Sequence, residues 1–338
     1  MKDFKNFGIR IRKDEERNYY AIWNDLQTIR LDLGEEIKLP YERSEFYDVA
    51  ITERCNAMCD FCYVSADSMK EDFRGICETW KKWINTFPED TTVKLREDWW
   101  IGRLLTGYSL CPEEFELKAM LVRGIVEKRK IRYTSKPFQI AIGSLGEPTI
   151  HPDFPKFLEE VYRSEVVPNY TTNGIVMSDE ILEATRNFVG GVAVSYGNKG
   201  IRDKANKTIE RLLKDGECKV MIHHLISDTD SLRELEEAED RWGKDISYHV
   251  LLPLKKHGRS KEEMSESTYL ELVELIGRKG WDNLAFGMWF LPFMKKWPGS
   301  IKCWEYPSET YSSNLILRNE RIQITPSSFN LEVKYENS

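Results

Sequence analysis

Short runs rich in Val and Ile recur along this chain, and longer amphipathic stretches separate them. Tyr47–Thr52 (YDVAIT), Phe138–Ile142 (FQIAI), Asn169–Thr172 (NYTT), Gly191–Ser195 (GVAVS), Lys219–His224 (KVMIHH) and Ser247–Leu252 (SYHVLL) read as six core strands. Between them, Asp153–Arg163 carries apolar residues at helical spacing. Ser178 stands where an N-cap belongs, before Asp179 and Glu180, and Asp230 or Ser231 is placed to cap the acidic helix that follows. Strands joined by helical crossovers lie parallel, so the fold class is α/β with a parallel sheet.

Three further stretches depart from that rhythm. Residues 1–45 hold three short strand candidates, Gly8–Arg12, Tyr19–Trp23 and Thr28–Leu33, with a turn signal at Leu33-Gly34-Glu35, and read as an N-terminal β-appendage. Residues 70–135 are long for a connection between the first two core strands; Trp80, Trp83, Trp99, Trp100 and Cys111 lie there, and two or three inserted helices are expected. Asn314–Thr325 reads as a hairpin around Arg318–Arg321. The expected domains are therefore an appendage over 1–45, a core over 46–290 interrupted by the insertion, and an extension over 291–338.

No run of 18 apolar residues is present, so no spanning helix is expected. The N-terminus lacks the apolar region of a secretion signal, and a cytoplasmic location, where thiols stay reduced, is expected. The net charge of −7 does not suit a dedicated nucleic-acid binder. Two basic clusters, Lys128–Arg132 and Lys255–Arg259, read as solvated element ends.

The sharpest local signal follows the first core strand: ITERCNAMCDFCYVS, with Cys55, Cys59 and Cys62 at C-x3-C-x2-C spacing. The other four cysteines, Cys77, Cys111, Cys218 and Cys303, share no spacing. Three thiolates in one loop suit a cubane iron–sulfur cluster, which needs four to close all its irons; three leave one iron open to a small chelating ligand. A structural zinc with a distant fourth ligand, or buried core cysteines, are the plainer readings, but paired zinc knuckles are missing.

This loop resembles the signature of the radical S-adenosylmethionine (radical SAM) superfamily, and Phe61 holds the aromatic position before the third cysteine. The resemblance spans roughly residues 45–255. Gly146-Glu147-Pro148 after the second strand is similar to the superfamily's Gly-Gly-Glu-Pro motif, with Leu145 in place of the first glycine. Thr171-Thr172-Asn173-Gly174 is similar to the ending of the family's third strand, although Asn-Gly is also an ordinary turn. Ser195, at the end of strand four, matches a position that contacts the cofactor.

The resemblance implies a partial (β/α)6 TIM-like barrel and an oxidoreductase-type enzyme with two cofactors, a 4Fe–4S cluster and S-adenosylmethionine. It assigns Cys55, Cys59 and Cys62 to the cluster, and Phe61, Gly146, Glu147, Pro148, Thr172, Asn173 and Ser195 to cofactor binding. A flavodoxin or ferredoxin is the implied one-electron donor. His223 and His224 end strand five, and alternation allows only one of them to face inward; His223 is favoured by analogy, against a plain core histidine. Arg259 is expected to reach a carboxylate at the barrel mouth or to be a solvated loop arginine. His249 shares the status of the strand-five histidines, and His151 reads as a local structural contact.

The tail resembles a degenerate form of the SPASM/twitch-like extension, since Cys303 precedes the hairpin and no cysteine follows it. Trp289, Trp297 and Trp304 line a cavity or simply pack a core. Three substrate readings stay open: a peptide or protein side chain; a nucleotide, nucleic-acid base or small metabolite; or no substrate, in a non-catalytic cluster- or zinc-binding protein.

Overall fold

The structure, a computed structural model, describes residues 4–14, 19–32, 44–94, 98–107, 112–301 and 312–326. Cys111, Cys303, Trp304 and the turn signal at Leu33-Gly34-Glu35 lie outside them.

In chain order the elements are β1 (Ile9–Asp14), β2 (Tyr19–Trp23), β3 (Thr28–Asp32), β4 (Phe46–Ala50), α1 (Ile76–Ile84), β5 (Thr91–Thr92), α2 (Trp99–Thr106), α3 (Pro112–Val126), β6 (Ile131–Tyr133) and β7 (Gln139–Ile142). Then come α4 (Phe154–Arg163), β8 (Val167–Thr172), α5 (Asp179–Phe188), β9 (Gly191–Ser195), α6 (Arg202–Asp215), β10 (Lys219–Ile226), α7 (Thr229–Trp242), β11 (Tyr248–Pro253) and α8 (Glu266–Lys279). β12 (Leu284–Phe286), α9 (Leu291–Lys296), β13 (Ser312–Arg318) and β14 (Arg321–Pro326) complete the described chain.

Six parallel neighbours, β4-β7-β8-β9-β10-β11, form a partial (β/α)6 TIM-like barrel, and β12 adds a short seventh strand to the far edge. Strand alternation sorts the side chains. Tyr47 and Val49 of β4, Ile140 and Ile142 of β7, Val192 and Val194 of β9 and Ile222 of β10 pack outward into one core with Trp80, Phe157 and Ile209 of the helices. Their partners in the alternation, among them Asp48, Ala141, Ser195 and His223, therefore face the barrel lumen.

Ser178 caps α5, its hydroxyl accepting from Ile181 N at 3.2 Å. The cap of α7 differs from expectation. Asp228 holds it, accepting from Ser231 N at 2.9 Å, while the Ser231 hydroxyl accepts from Asp228 N at 3.1 Å. Ser231 thus serves as the reciprocal arm of a capping box, three residues inside the helix.

A second sheet, ordered β3-β2-β1-β6-β5, joins the N-terminal strands to the insertion. β1 pairs parallel with β6, Ile11 opposite Tyr133, and α2 and α3 pack against the sheet through Trp100, Leu117 and Leu121. The other face packs Tyr19, Ala21 and Trp23 on Phe138 and Val167, at the N-terminal ends of the barrel strands, and so floors the barrel. The basic cluster Lys128–Arg132 lies at this junction, with Arg129 paired to Asp25 at 2.5 Å and Arg132 to Glu165 at 2.7 Å.

The C-terminal hairpin is part of the main sheet: β13 pairs parallel with β4, extending the barrel edge. It turns at Asn319 and Glu320, both in the left-handed region, and Asn319 Oδ1 accepts from Arg74 N at 3.1 Å. Arg318 pairs with Glu53, two residues before Cys55, so the hairpin buttresses the cysteine loop.

Candidate functional site

The cysteine loop leaves the C-terminal end of β4, the end at which barrel folds carry their chemistry. Backbone bonds give the loop its shape: Cys55 N donates to Asp67 O at 2.9 Å, Cys62 N to Cys59 O at 3.2 Å, and Ser65 N to Cys62 O at 3.2 Å. Thr52 anchors its start, its hydroxyl accepting from Arg54 N at 2.9 Å and donating to Asp72 Oδ1 at 2.7 Å.

Arg259 clamps the loop from the far side of the barrel. Its Nε donates to Cys59 O and its Nη1 to Ala66 O, both at 2.8 Å, while its backbone N donates to Cys62 O at 3.0 Å. The guanidinium is thus directed at main-chain carbonyls of the loop, where a carboxylate partner had been expected. Gly258 allows this approach. A Cβ there would stand 2.4 Å from Cys62 O, and its φ is +63°.

Two asparagines address the sulfurs. Asn198 Nδ2 donates to Cys59 Sγ at 3.0 Å. Asn173 Nδ2 donates to Asn56 Oδ1 at 2.8 Å and to Cys55 Sγ at 3.8 Å. Burial pushes the Cys55 and Cys59 thiols up and neighbouring cysteines push them further, while the asparagine bonds oppose the rise.

Glu147 ties this loop to β8. Its buried carboxylate accepts from Thr149 Oγ1 at 2.6 Å, Thr149 N at 3.3 Å, Thr172 Oγ1 at 2.8 Å and Asn173 N at 2.6 Å. Its own N–H donates to Arg54 O at 2.8 Å. Glu147, Thr172 and Asn173 therefore form one hydrogen-bonded unit beneath Cys55. Pro148 opens the short helical turn that Glu147 caps. The two carboxylate oxygens are committed inside the protein, so any ligand at this turn meets its backbone.

Gly146 sits against the strand end, where a Cβ would lie 2.5 Å from Arg54 O and 2.8 Å from Thr52 O. Gly146→Ala is expected to push the turn off the cysteine loop, costing about 1–3 kcal/mol as overpacking does. Urea unfolding reads that cost. Stability equal to that of the unsubstituted protein would refute the close-approach role.

The remaining candidates lie around the lumen. Phe61 approaches Gly197, whose notional Cβ would be 3.6 Å from Phe61 Cζ. Ser195 stands opposite His223 in the β9–β10 register. His223 shares a face with Met221 and Leu225, and burial pulls its imidazole down to about 4, leaving it neutral at physiological pH. His224 points to the opposite face, in a buried chain: His224 Nε2 to His249 Nδ1 at 2.8 Å, then His249 Nε2 to Glu239 Oε2 at 2.7 Å. His151 is held between Phe73 O at 2.9 Å and Asp153 N at 3.1 Å, a local contact. At the mouth, Lys255 Nζ lies 4.2 Å from the Trp289 ring centroid and 5.0 Å from that of Tyr63.

Three residues of the site escaped the sequence reading. Asn198 follows the end of β9 in a stretch that reads as a turn. Tyr63 continues the cysteine loop, and its hydroxyl donates to Ser144 O at 3.1 Å. Asp48 had a visible signal: it is the one charged residue inside the apolar run Tyr47–Thr52.

No protein-family model matches the chain, and no curated protein matches it by sequence. Solved structures match its fold. SuiB of Streptococcus suis bound to the precursor peptide SuiA superposes with a TM-score of 0.61 at 12% identity, over 97% of this chain and 83% of that one. The same protein bound to S-adenosylmethionine gives 0.59 at 11% identity, over 96% and 82%. The chain has the fold of SuiB, a protein crystallised with S-adenosylmethionine and with a precursor peptide.

The donor set fits an iron–sulfur cluster. A cluster spreads its thiolates over several irons, and the three cysteines of this loop lie within electrostatic reach of one another. Among the described residues no helix is long and apolar enough to cross a membrane.

Proposed function

We propose that this chain is a radical SAM enzyme that acts on a peptide or protein side chain, with Cys55, Cys59 and Cys62 as cluster ligands. One observation carries the reading: three cysteines share a loop at the C-terminal mouth of a parallel barrel, with asparagine donors on two of their sulfurs. When bound there, a 4Fe–4S cluster open at one iron would supply the electron that cleaves S-adenosylmethionine and so the 5′-deoxyadenosyl radical that abstracts hydrogen.

The chain's own residues hold and orient. Arg259 fixes the loop, Glu147 holds the turn and β8 together, and Gly146 at the start of that turn would receive the amino group of the cofactor. Phe61, Ser195 and His223 would flank the nucleoside of the cofactor. The neutral imidazole of His223 offers one donor and one acceptor without a charge. Tyr63, Lys255 and Trp289 narrow the mouth and so limit water near a reactive intermediate. The peptide reading draws on SuiB, which was crystallised with its precursor peptide, and on the net charge of −7, which disfavours a polynucleotide.

The test is product analysis under anaerobic conditions. Protein reconstituted with iron and sulfide, given dithionite and S-adenosylmethionine, is expected to release 5′-deoxyadenosine; a flavodoxin or ferredoxin should replace dithionite. Cys55→Ala, Cys59→Ala and Cys62→Ala should each fall to the enzyme-free background. Stoichiometric zinc in the purified protein, with no nucleoside released, would sink the reading.

A further inference from the structure

We propose that Asp48 is a substrate-anchoring residue in the barrel lumen, and that it receives a cationic side chain, the ammonium or guanidinium of a basic residue in a peptide. The proposal rests on the reading above only in taking the occupant to be substrate.

Asp48 lies mid-strand in β4, between Tyr47 and Val49, which are both buried among the helices; Tyr47 packs edge-on against Trp83 with ring centroids 5.0 Å apart. Alternation turns Asp48 the other way, into the lumen. The carboxylate is half-buried there, and among the described residues no hydrogen bond or ion pair reaches it. Burial alone pushes its carboxyl up to about 6. Its register neighbours are Ala141 on β7, too small to fill the space beside it and without a donor, and Asn314 on β13.

Glu147 makes the contrast. That carboxylate serves structure and has four donors packed on it. Asp48 is half-buried and has none of that compensation, the mark of a group kept for something that arrives later. The lumen's own cations are engaged elsewhere: Arg259 on loop carbonyls, Arg54 on Asp72, and Lys255 over the rings of Tyr63 and Trp289. A ligand cation would meet an unneutralised acceptor.

The carboxylate also borders the reactive end of the lumen. Tyr63 lies within electrostatic reach of both Asp48 and Cys62, so the anchor and the cysteine loop look onto one space. A side chain tethered at Asp48 would hold its carbon stem across that space, the positioning on which hydrogen abstraction depends.

The experiment measures binding, so it reports even for a chain that releases no 5′-deoxyadenosine. Anaerobically reconstituted protein saturated with S-adenosylmethionine is titrated calorimetrically with Nα-acetyl-lysine amide, Nα-acetyl-arginine amide and the neutral Nα-acetyl-norleucine amide. At least one cationic probe is expected to bind ten or more times tighter than the neutral one. Asp48→Asn should cut that preference below twofold, leave S-adenosylmethionine affinity unchanged within twofold, and leave the unfolding midpoint equal or raised. Equal or undetectable binding of the three probes overturns the proposal, as does a preference that survives in Asp48→Asn. A parallel loss of S-adenosylmethionine affinity would make the cofactor the occupant, and an Asp48→Asn protein that fails to fold would make the carboxylate structural; either result overturns it too.

Discussion

Glu147→Ala is expected to destabilise the chain by about 3–5 kcal/mol and to dismantle the floor of the cysteine site. Four donors meet on the carboxylate, from Thr149 Oγ1, Thr149 N, Thr172 Oγ1 and Asn173 N. Each buried donor left without an acceptor costs about 1–3 kcal/mol, and relaxation into the small cavity recovers part of the sum. Glu147→Gln tests the arrangement more finely. Its carbonyl oxygen can keep the three donors that share Oε1, but its amide NH2 then faces Asn173 N–H, donor against donor. The expected cost is about 1–3 kcal/mol, read by urea unfolding. Because Asn173 N is the bond lost, Asn173 Nδ2 should leave Cys55, and on the function proposed above iron uptake should fall more than stability does. A Glu147→Gln protein as stable as the parent, with full iron content, would show that the four bonds are incidental.

Five of the six barrel strands were legible as apolar runs buried on their helix-facing side, which are local signals; Asn169–Thr172 is polar but falls at its place in the same rhythm. β12 was not, since Leu284–Phe286 is three residues long and its pairing with β11 is what makes it a strand. Three strands of the second sheet, β1, β2 and β3, were legible singly, but β5 and β6, inside a stretch read as helical, were not, and neither was the sheet. β1 pairs Ile9 with Ile131, across most of the insertion, and no local pattern encodes a parallel partner at that distance. The cap of α7 sits in Ser227-Asp228-Thr229-Asp230-Ser231, where several residues can cap and only the register of the helix decides.

The cysteines were legible because three of them at a fixed spacing in one loop are a local signal. Arg259 was noticed, as a partner for a carboxylate or as a solvated loop arginine, but its hold on the cysteine loop was not. Its acceptors are main-chain carbonyls of the cysteine loop, 193 and 200 residues away, and a carbonyl leaves no trace in the sequence. Asn198 was missed for a related reason. A donor to sulfur looks like any loop asparagine until the sulfur stands beside it. Residues that carry the chemistry announce themselves by type and spacing, while those that hold them in place become visible only in the fold.

Arg10 is the extreme of that second kind, and its replacement should have an effect as large as that of Glu147. In the sequence it is one of alternating charges in an N-terminal strand; in the structure it is 1% exposed, beneath the barrel. Its Nη2 donates to Phe138 O at 2.8 Å, and its Nη1 to Glu165 O at 2.5 Å and Pro137 O at 3.5 Å. The guanidinium lies 4.2 Å from the Trp23 ring centroid and 5.3 Å from that of Phe138. Burial pulls its pKa down to about 9 against the attraction of Asp90 and Glu165, so it remains charged at neutral pH. Arg10→Met keeps the stem and removes the donors, leaving main-chain carbonyls of the β7 and β8 approaches without their partner. A buried ion pair replaced whole by apolar residues can be neutral, but here the acceptors stay behind, so a loss of about 3–5 kcal/mol is expected. Arg10→Lys should recover only part of it, because one ammonium cannot span carbonyls on two segments or stack flat on Trp23. The loss should be directional as well. The sheet of β1–β3 is bolted to the barrel floor here, so limited proteolysis of Arg10→Met should cut within the first 32 residues before it cuts the barrel. An Arg10→Met protein within about 1 kcal/mol of the parent, cleaved no sooner at its N-terminus, would mean that apolar packing of Tyr19, Trp23 and Phe138 holds the floor without the guanidinium.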